Sequence, residues 1–246
     1  MTKERHLSNP PIIEAVIDLR VKRNVNFEIS SLTSLKDSLE KSFPKCTEAR
    51  SFHFAVKNEL NLQFEHKKEL LHGYLLKTED EKKAIQLKRD GLCYSHLQPY
   101  TKWEDLFLKA KELWGLYKNA CDPEKITRVA LRYINHINVP NEKIAFADYL
   151  ESPPVMPKGS TQNINSFLSK IVFTYSQQNI MANFIQSYEF RGKQNLPTII
   201  IDIDVYQNKE YEPDDKNVWP LFDQFRKIKN DLFFGNITEK TVEMFE

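Results

Sequence analysis

Two segments place charged side chains that could bind an anion on single faces of predicted strands. In RVALRYINHI, period-two alternation puts Arg128, Arg132 and His136 on one face. A guanidinium offers a planar fork of N–H donors that fits phosphate or carboxylate, so this strip predicts an anion-binding face. The alternative is a solvated face whose side chains form cross-strand ion pairs, which contribute little to stability when they are exposed.

Asp202 and Asp204 likewise share one face of the segment PTIIIDIDVY. Carboxylates two residues apart supply the hard oxygen ligands that Mg²⁺ or Ca²⁺ prefers, so the pair is a candidate metal site. The DxD pattern is very short, and the same aspartates would neutralise Arg128 and Arg132 if the two strands were neighbours. We favour the ion-pair interpretation.

Glu14 stands among apolar residues in the first predicted strand, PIIEAVIDLRV, on the same face as Asp18 and Arg20. These side chains could line a polar cleft or a barrel interior, as in the charged tunnel of triphosphate-hydrolysing enzymes. Those enzymes open with ExExK, whereas Glu14 is followed by AVIDLR. A salt bridge from Glu14 to one of the arginines would explain its position. The candidate binding residues are therefore Glu14, Arg128, Arg132, His136, Asp202 and Asp204.

No catalytic motif accompanies these residues. The sequence contains no GxxxxGK[ST], GxGxxG or GxSxG pattern, and its six histidines show no HxH or HExxH spacing. Its six glycines leave little material for a phosphate-cradling loop. We therefore predict no cofactor, no metal site and no catalytic residue.

Composition narrows the class of protein. The 246 residues are 41% hydrophobic and 28% charged, enough to bury a core in one large domain or two small ones. A net charge of +1 gives no overall field towards nucleic acid or a membrane surface. The three cysteines are widely spaced without a CxxC pair, which indicates free thiols in a reducing cytosol. We expect a cytoplasmic protein that makes no membrane contact.

Helical and strand periodicities alternate along the chain. Apolar residues at three- and four-residue steps predict helices over 31–43, 103–117 and 217–234, the first capped by Ser30 or Ser31. Alternating runs predict the following strands, with a short helix at 144–150 and a long loop at 151–165: 11–21, 51–57, 70–77, 83–89, 91–97, 126–139, 167–175, 180–190 and 197–206.

Both halves of the chain follow the order strand, helix, several strands, helix, with a boundary near Asp122. We predict an α+β fold of two pseudo-duplicated halves, 1–122 and 123–246, packed as one globular unit. Helices would cover one face of an antiparallel sheet. This order suits a curved saddle like that of the TATA-binding protein, or a sheet partly closed towards a barrel.

Three segments carry a family resemblance: SNPPIIEAVIDLRV, RVALRYINHINV and, in support, NDLFFGNIT. Together they resemble a sporadically distributed, uncharacterised family of bacterial and archaeal proteins that opens with an NPP-I-EA strand and carries an R-x-x-LRYIN strand. The likeness in element order spans nearly the whole chain. It implies this fold and a prokaryotic setting and transfers no catalytic residue. A role in phage defence or mobile-element biology is an association from that resemblance alone.

Three functions follow as hypotheses. We favour a binding or regulatory module that acts through a protein partner, because the chain is well built but poor in catalytic signatures. A nucleic-acid-binding protein that uses a concave sheet is the second hypothesis. A metal-dependent phosphoester enzyme that uses Glu14, Asp202 and Asp204 is the third.

Overall fold

The computed structural model describes residues 5, 7–53, 68–100, 102–139, 144–159, 164–189 and 197–246. Within these ranges the chain forms one antiparallel sheet of nine strands with four α-helices, which confirms the predicted α+β fold. The strands are β1 Ile12–Lys22, β2 Lys45–His53, β3 Lys68–Lys77, β4 Lys83–Lys88, β5 Gly91–Leu97, β6 Lys125–Asn138, β7 Ser166–Tyr175, β8 Ile180–Glu189 and β9 Thr198–Tyr211. The helices are α1 Ile29–Leu39, α2 Trp103–Cys121, α3 Leu221–Phe234 and α4 Glu239–Glu243.

The strand order is β2-β3-β4-β5-β1-β6-β9-β8-β7, so the first strands of the two predicted halves lie side by side at the centre. Going outwards, β1 is followed by β5, β4, β3 and β2, and β6 is followed by β9, β8 and β7. The order is therefore the same in both halves, except that β2 has no counterpart among the described residues. The outer strands do not pair with each other, so the sheet is open.

One face of the sheet forms the core because apolar residues alternate along the central strands. Ile17, Leu131 and Ile203 are fully buried on this face, while charged residues occupy the alternate positions. Helices α1 and α2 pack against β1 and its outer neighbours, and α3 packs against β6 and β9. Burying each such apolar side chain contributes about 1.5–3 kcal/mol.

The starts of α1 and α3 differ from the predictions, and α1 ends at Leu39 rather than at 43. Helix α1 begins at Ile29, with Glu28 as its N-cap and no side-chain cap, so the prediction that Ser30 or Ser31 caps it is wrong. An earlier start is favoured because Ile29 packs against the core. Helix α3 begins at Leu221 rather than at 217, directly after Pro220.

Smaller predictions concern a short helix, a strand, the cysteines and the absence of a membrane span. The short helix expected at 144–150 is a single 3₁₀ turn at Phe146–Asp148. The part of the strand expected at 51–57 that follows residue 53 lies outside the described residues. All three cysteines are free thiols, as the sequence predicted, one exposed and two buried. None of the described helices is both long enough and apolar enough to span a membrane.

Candidate functional site

The predicted arginine and aspartate strips meet at the centre of the sheet, on the face opposite the core. Strands β6 and β9 are neighbours, and Arg128 lies between carboxylates on both sides. Its Nη1 donates to Asp18 Oδ1 at 2.7 Å, and its Nη2 donates to Asp204 Oδ2 at 2.8 Å. The guanidinium also lies 4.7 Å from the centre of the Tyr206 ring. Arg128 is thus fully engaged by side chains of its own sheet.

Arg132 forms a second, bidentate pair with Asp202. Its Nε and Nη2 donate to the two carboxylate oxygens at 2.8 and 2.6 Å. This hydrogen bond raises the pKa of the guanidinium, although desolvation opposes the shift. The predicted neutralisation of the two arginines by Asp202 and Asp204 is confirmed.

Glu14 and His136 do not join this network. Among the described residues no salt bridge includes Glu14, so the bridge expected from it is wrong, and Glu14 acts on Arg132 only through its longer-range field. His136 lies beside Ile200, four positions from Arg132 and therefore about 13 Å along the strand. Burial lowers the pKa of His136, so it adds no cation at neutral pH.

The arrangement gives little support to the metal and nucleic-acid hypotheses. Both aspartates of the DxD pair accept hydrogen bonds from arginines, and no three His, Cys, Asp or Glu side chains in the described ranges are grouped so that they could hold a metal ion. Arg20 and Lys88 also approach Asp18, at 3.5 and 3.8 Å, so three aspartates neutralise most of the positive charge of this network. A network that is largely neutralised provides little net attraction for phosphates.

A cavity of about 710 Å³ lies on the other side of the sheet, beneath α3. It is larger than the cavities of about 530 Å³ beside α2 and 510 Å³ on the charged face. Its wall comes from four parts of the chain, represented by Pro11, Trp103, Tyr133 and Phe233. Five aromatic residues of the described ranges, among them the buried Tyr133, Trp103 and Phe233, line the cavity together with charged and amide side chains.

Lys229 of α3 is the most unusual group in this cavity. Its Nζ lies 4.2 Å from the centre of the Tyr133 ring, and no described carboxylate forms a salt bridge with it. Desolvation, and secondarily the charge of Arg226, lowers the pKa of Lys229 to about 7. Lys229 therefore titrates close to neutral pH.

Two tyrosine hydroxyls add hydrogen-bonding capacity to the cavity. Tyr100 and Tyr133 share a hydrogen bond of 2.9 Å, and their rings meet edge to face at 5.5 Å. Burial raises the pKa of both phenols, so both remain neutral at physiological pH. One hydroxyl donates to the other, which leaves the second proton for another acceptor.

The remaining charges that line the cavity are mostly positive. Arg226 precedes Lys229 by three residues on α3, and its guanidinium lies 5.7 Å from the Trp103 ring centre. Lys102 also lines the cavity, and Glu104 is the acidic residue in the described lining. Arg5 lines it too, but two hydrogen bonds of 2.6 Å to the Glu239 carboxylate compensate its charge. The cavity is therefore attractive to an anion.

Sequence reasoning missed this cavity because its residues are far apart in the chain. One signal was present: Lys229 lies four residues after Phe225 and four before Phe233, both of which are buried on the apolar stripe of α3. A lysine on such a stripe places its ammonium at the edge of the core.

The segments on which the family resemblance rests meet at this cavity. Pro10 and Pro11 come from the first segment, Tyr133 and Asn135 from the second, and Phe233 from the third. No protein-family model matches the chain, and no curated protein shows significant similarity to it. The family resemblance therefore stays a prediction.

Proposed function

We propose that the protein is a binding module whose cavity holds a small organic anion. The observation that carries this proposal is Lys229: an ammonium group that faces a cavity and has no described carboxylate partner. Removing an ammonium group from water without pairing it to a carboxylate costs folding free energy, and an anionic ligand beside Lys229 would offset that cost. Cavities of this size are typical of small-molecule sites.

The lining indicates the chemistry of the ligand. Arg226 and Lys229 supply two donors, three residues apart on α3, for one carboxylate or phosphate. The rings of Trp103 and Phe233 favour an apolar or aromatic body beside that anionic group. The Tyr100 hydroxyl suits a polar substituent.

Binding would be coupled to protonation of Lys229. An anion beside the amine favours its charged form, so its pKa rises on binding. Since the pKa of Lys229 lies near 7 when the cavity holds no anion, binding of an anion at neutral pH is accompanied by proton uptake. A binding module of this kind would signal through a protein partner in the cytoplasm, which fits a sequence poor in catalytic motifs.

The test uses three simple probes: benzoate, phenyl phosphate and the neutral benzyl alcohol. We expect saturation-transfer NMR and thermal shifts to show binding of both anions to the wild type, with little response to the alcohol. Lys229→Met should strongly reduce the difference between the anions and the alcohol, because of the two donors on α3 only Arg226 remains to attract the anion. Lys227→Met is the matched control, because Lys227 is exposed on the same helix outside the cavity.

Two results would contradict the proposal. One is an equal response of the wild type to the anions and the alcohol, which would leave the cavity without charge selectivity. The other is unchanged anion binding in Lys229→Met, which would place the anions elsewhere on the protein.

A further inference from the structure

The two edges of the sheet are built differently. In the first half, β3 is covered on its outer side by β2. Strand β7 occupies the equivalent position in the second half, beside β8, and no described strand pairs with its outer side. The backbone N–H and C=O groups along that side are therefore available to another strand.

The side chains of β7 are unusually apolar for an edge. Leu168 is 74% exposed, and Ile171 and Val172 are 46% and 48% exposed. The strand contains no proline, its pairing with β8 shows no bulge, and Lys170 is its single charged residue. These are the features that natural edge strands normally avoid.

Strand β2 has the protection that β7 lacks. Its pairing with β3 shifts register between Ala49 and Arg50, which marks a bulge. Lys45 and Glu48 add charges along the same strand. The contrast between the two edges points to β7 as a pairing surface, because only β2 carries devices that block strand addition.

We infer that β7 pairs antiparallel with β7 of a second copy of this chain. A two-fold axis at Ile171, perpendicular to the sheet, places each Ile171 opposite its copy and pairs residues 167–175. Lys170 then lies opposite Val172, and Phe167 lies opposite Tyr175. Residues that lie opposite each other in an antiparallel pair point to the same face of the sheet. The charged faces of the two copies therefore lie on the same side of the combined sheet.

Charge and strand length select this register. An axis at Lys170 would place two ammonium groups directly opposite each other, which is unfavourable. An axis at Ser169 or Val172 would leave more of the ten-residue strand unpaired. The self-paired strand also closes the assembly as a dimer, because the remaining edges are the protected β2 strands.

Cysteine crosslinking tests the register directly. In a Cys46→Ser background, which removes the exposed native thiol, Ile171→Cys places two thiols opposite each other. Directly opposed Cα atoms in an antiparallel pair are about 4.5–5.5 Å apart, which a disulfide can span. We expect mild oxidation to give a covalent dimer. Leu168→Cys is the control, because its two copies would lie about 20 Å apart along the strands.

Charge substitutions at Val172 test the same pairing without crosslinking. Val172→Lys would oppose Lys170 twice in each dimer, and we expect the dimer Kd, measured by analytical ultracentrifugation, to rise about two- to thirtyfold. Val172→Glu would instead face Lys170 with a carboxylate and should preserve or strengthen the dimer. Val172 and Lys170 are both exposed, so neither Val172 variant should affect the fold of the monomer.

Each outcome decides the inference. A concentration-dependent dimer with selective crosslinking at 171 and opposite responses to the two Val172 variants supports it. A monomer at every accessible concentration overturns it, as does crosslinking at 168 that matches crosslinking at 171. Equal weakening by Val172→Lys and Val172→Glu overturns the register as well.

Discussion

Replacing Lys229 with methionine should stabilise the folded protein at neutral and acidic pH. The pKa of Lys229 is lowered to about 7, whereas a lysine in an unfolded chain titrates near 10.4. Each pKa unit corresponds to about 1.4 kcal/mol, so a shift of about three and a half units sets an upper limit near 5 kcal/mol. Because the side chain is only partly buried, we expect a gain of about 1–3 kcal/mol.

The pH dependence of this gain has a definite sign. Between about pH 7 and pH 10 the unfolded chain binds more protons at this site than the folded protein does, so the stability of the wild type rises with pH. Below pH 7 the charged amine is present in both states and the folded protein bears the full penalty. The advantage of Lys229→Met should therefore be largest near pH 6 and should shrink as the pH approaches 10.

Urea unfolding at pH 6, 8 and 9.5 measures this difference. Methionine keeps a similar apolar stem against Tyr133, so the comparison isolates the ammonium group. Lys227→Met, an exposed change on the same helix, should alter stability by less than about 0.5 kcal/mol at each pH. A Lys229→Met variant that is equally stable or less stable at pH 6 would refute the reasoning.

The remaining predictions concern the charged face and the cavity. Arg128→Ala should lower the free energy of unfolding in urea by about 2–5 kcal/mol, because Asp18 and Asp204, both largely buried, lose their shortest ion pair. Arg132→Ala should cost about 1–3 kcal/mol, because Arg132 is half exposed but its removal leaves the buried Asp202 carboxylate without its bidentate partner. Tyr100→Phe should lower the free energy of unfolding by about 0.5–1.5 kcal/mol, because the variant lacks the 2.9 Å hydrogen bond to Tyr133. A variant that is as stable as the wild type in thermal and urea unfolding would contradict this prediction. Phenyl phosphate affinity, measured by calorimetry from pH 6 to 9, should fall as the pH rises above 7, because Lys229 loses its charge; a flat profile would exclude its role.

Much of the fold was predictable because its signals are local. Alternation in β1 and β6 identifies the faces of both strands from consecutive residues. The apolar stripe of α2 likewise identifies that helix from residues 103–117. Cross-strand ion pairing followed from the same alternation, once β6 and β9 were assumed to be neighbours.

The cavity and the start of α1 were not predictable in this way. Tyr100, Tyr133 and Lys229 come from three separate elements, so no window of sequence contains the site. Their proximity depends on where α3 crosses β6, which local periodicity does not specify. The start of α1 depended on tertiary packing of Ile29, which outweighed the preference of serine for cap positions.

The most direct test of the account is the titration of Lys229 itself by NMR of ¹³C-labelled lysine side chains. We predict one lysine resonance that titrates near pH 7, is missing in Lys229→Met, and moves to a higher pKa when phenyl phosphate is added. If no lysine titrates near neutral pH, or if phenyl phosphate leaves that pKa unchanged, the cavity is not an anion site built around Lys229.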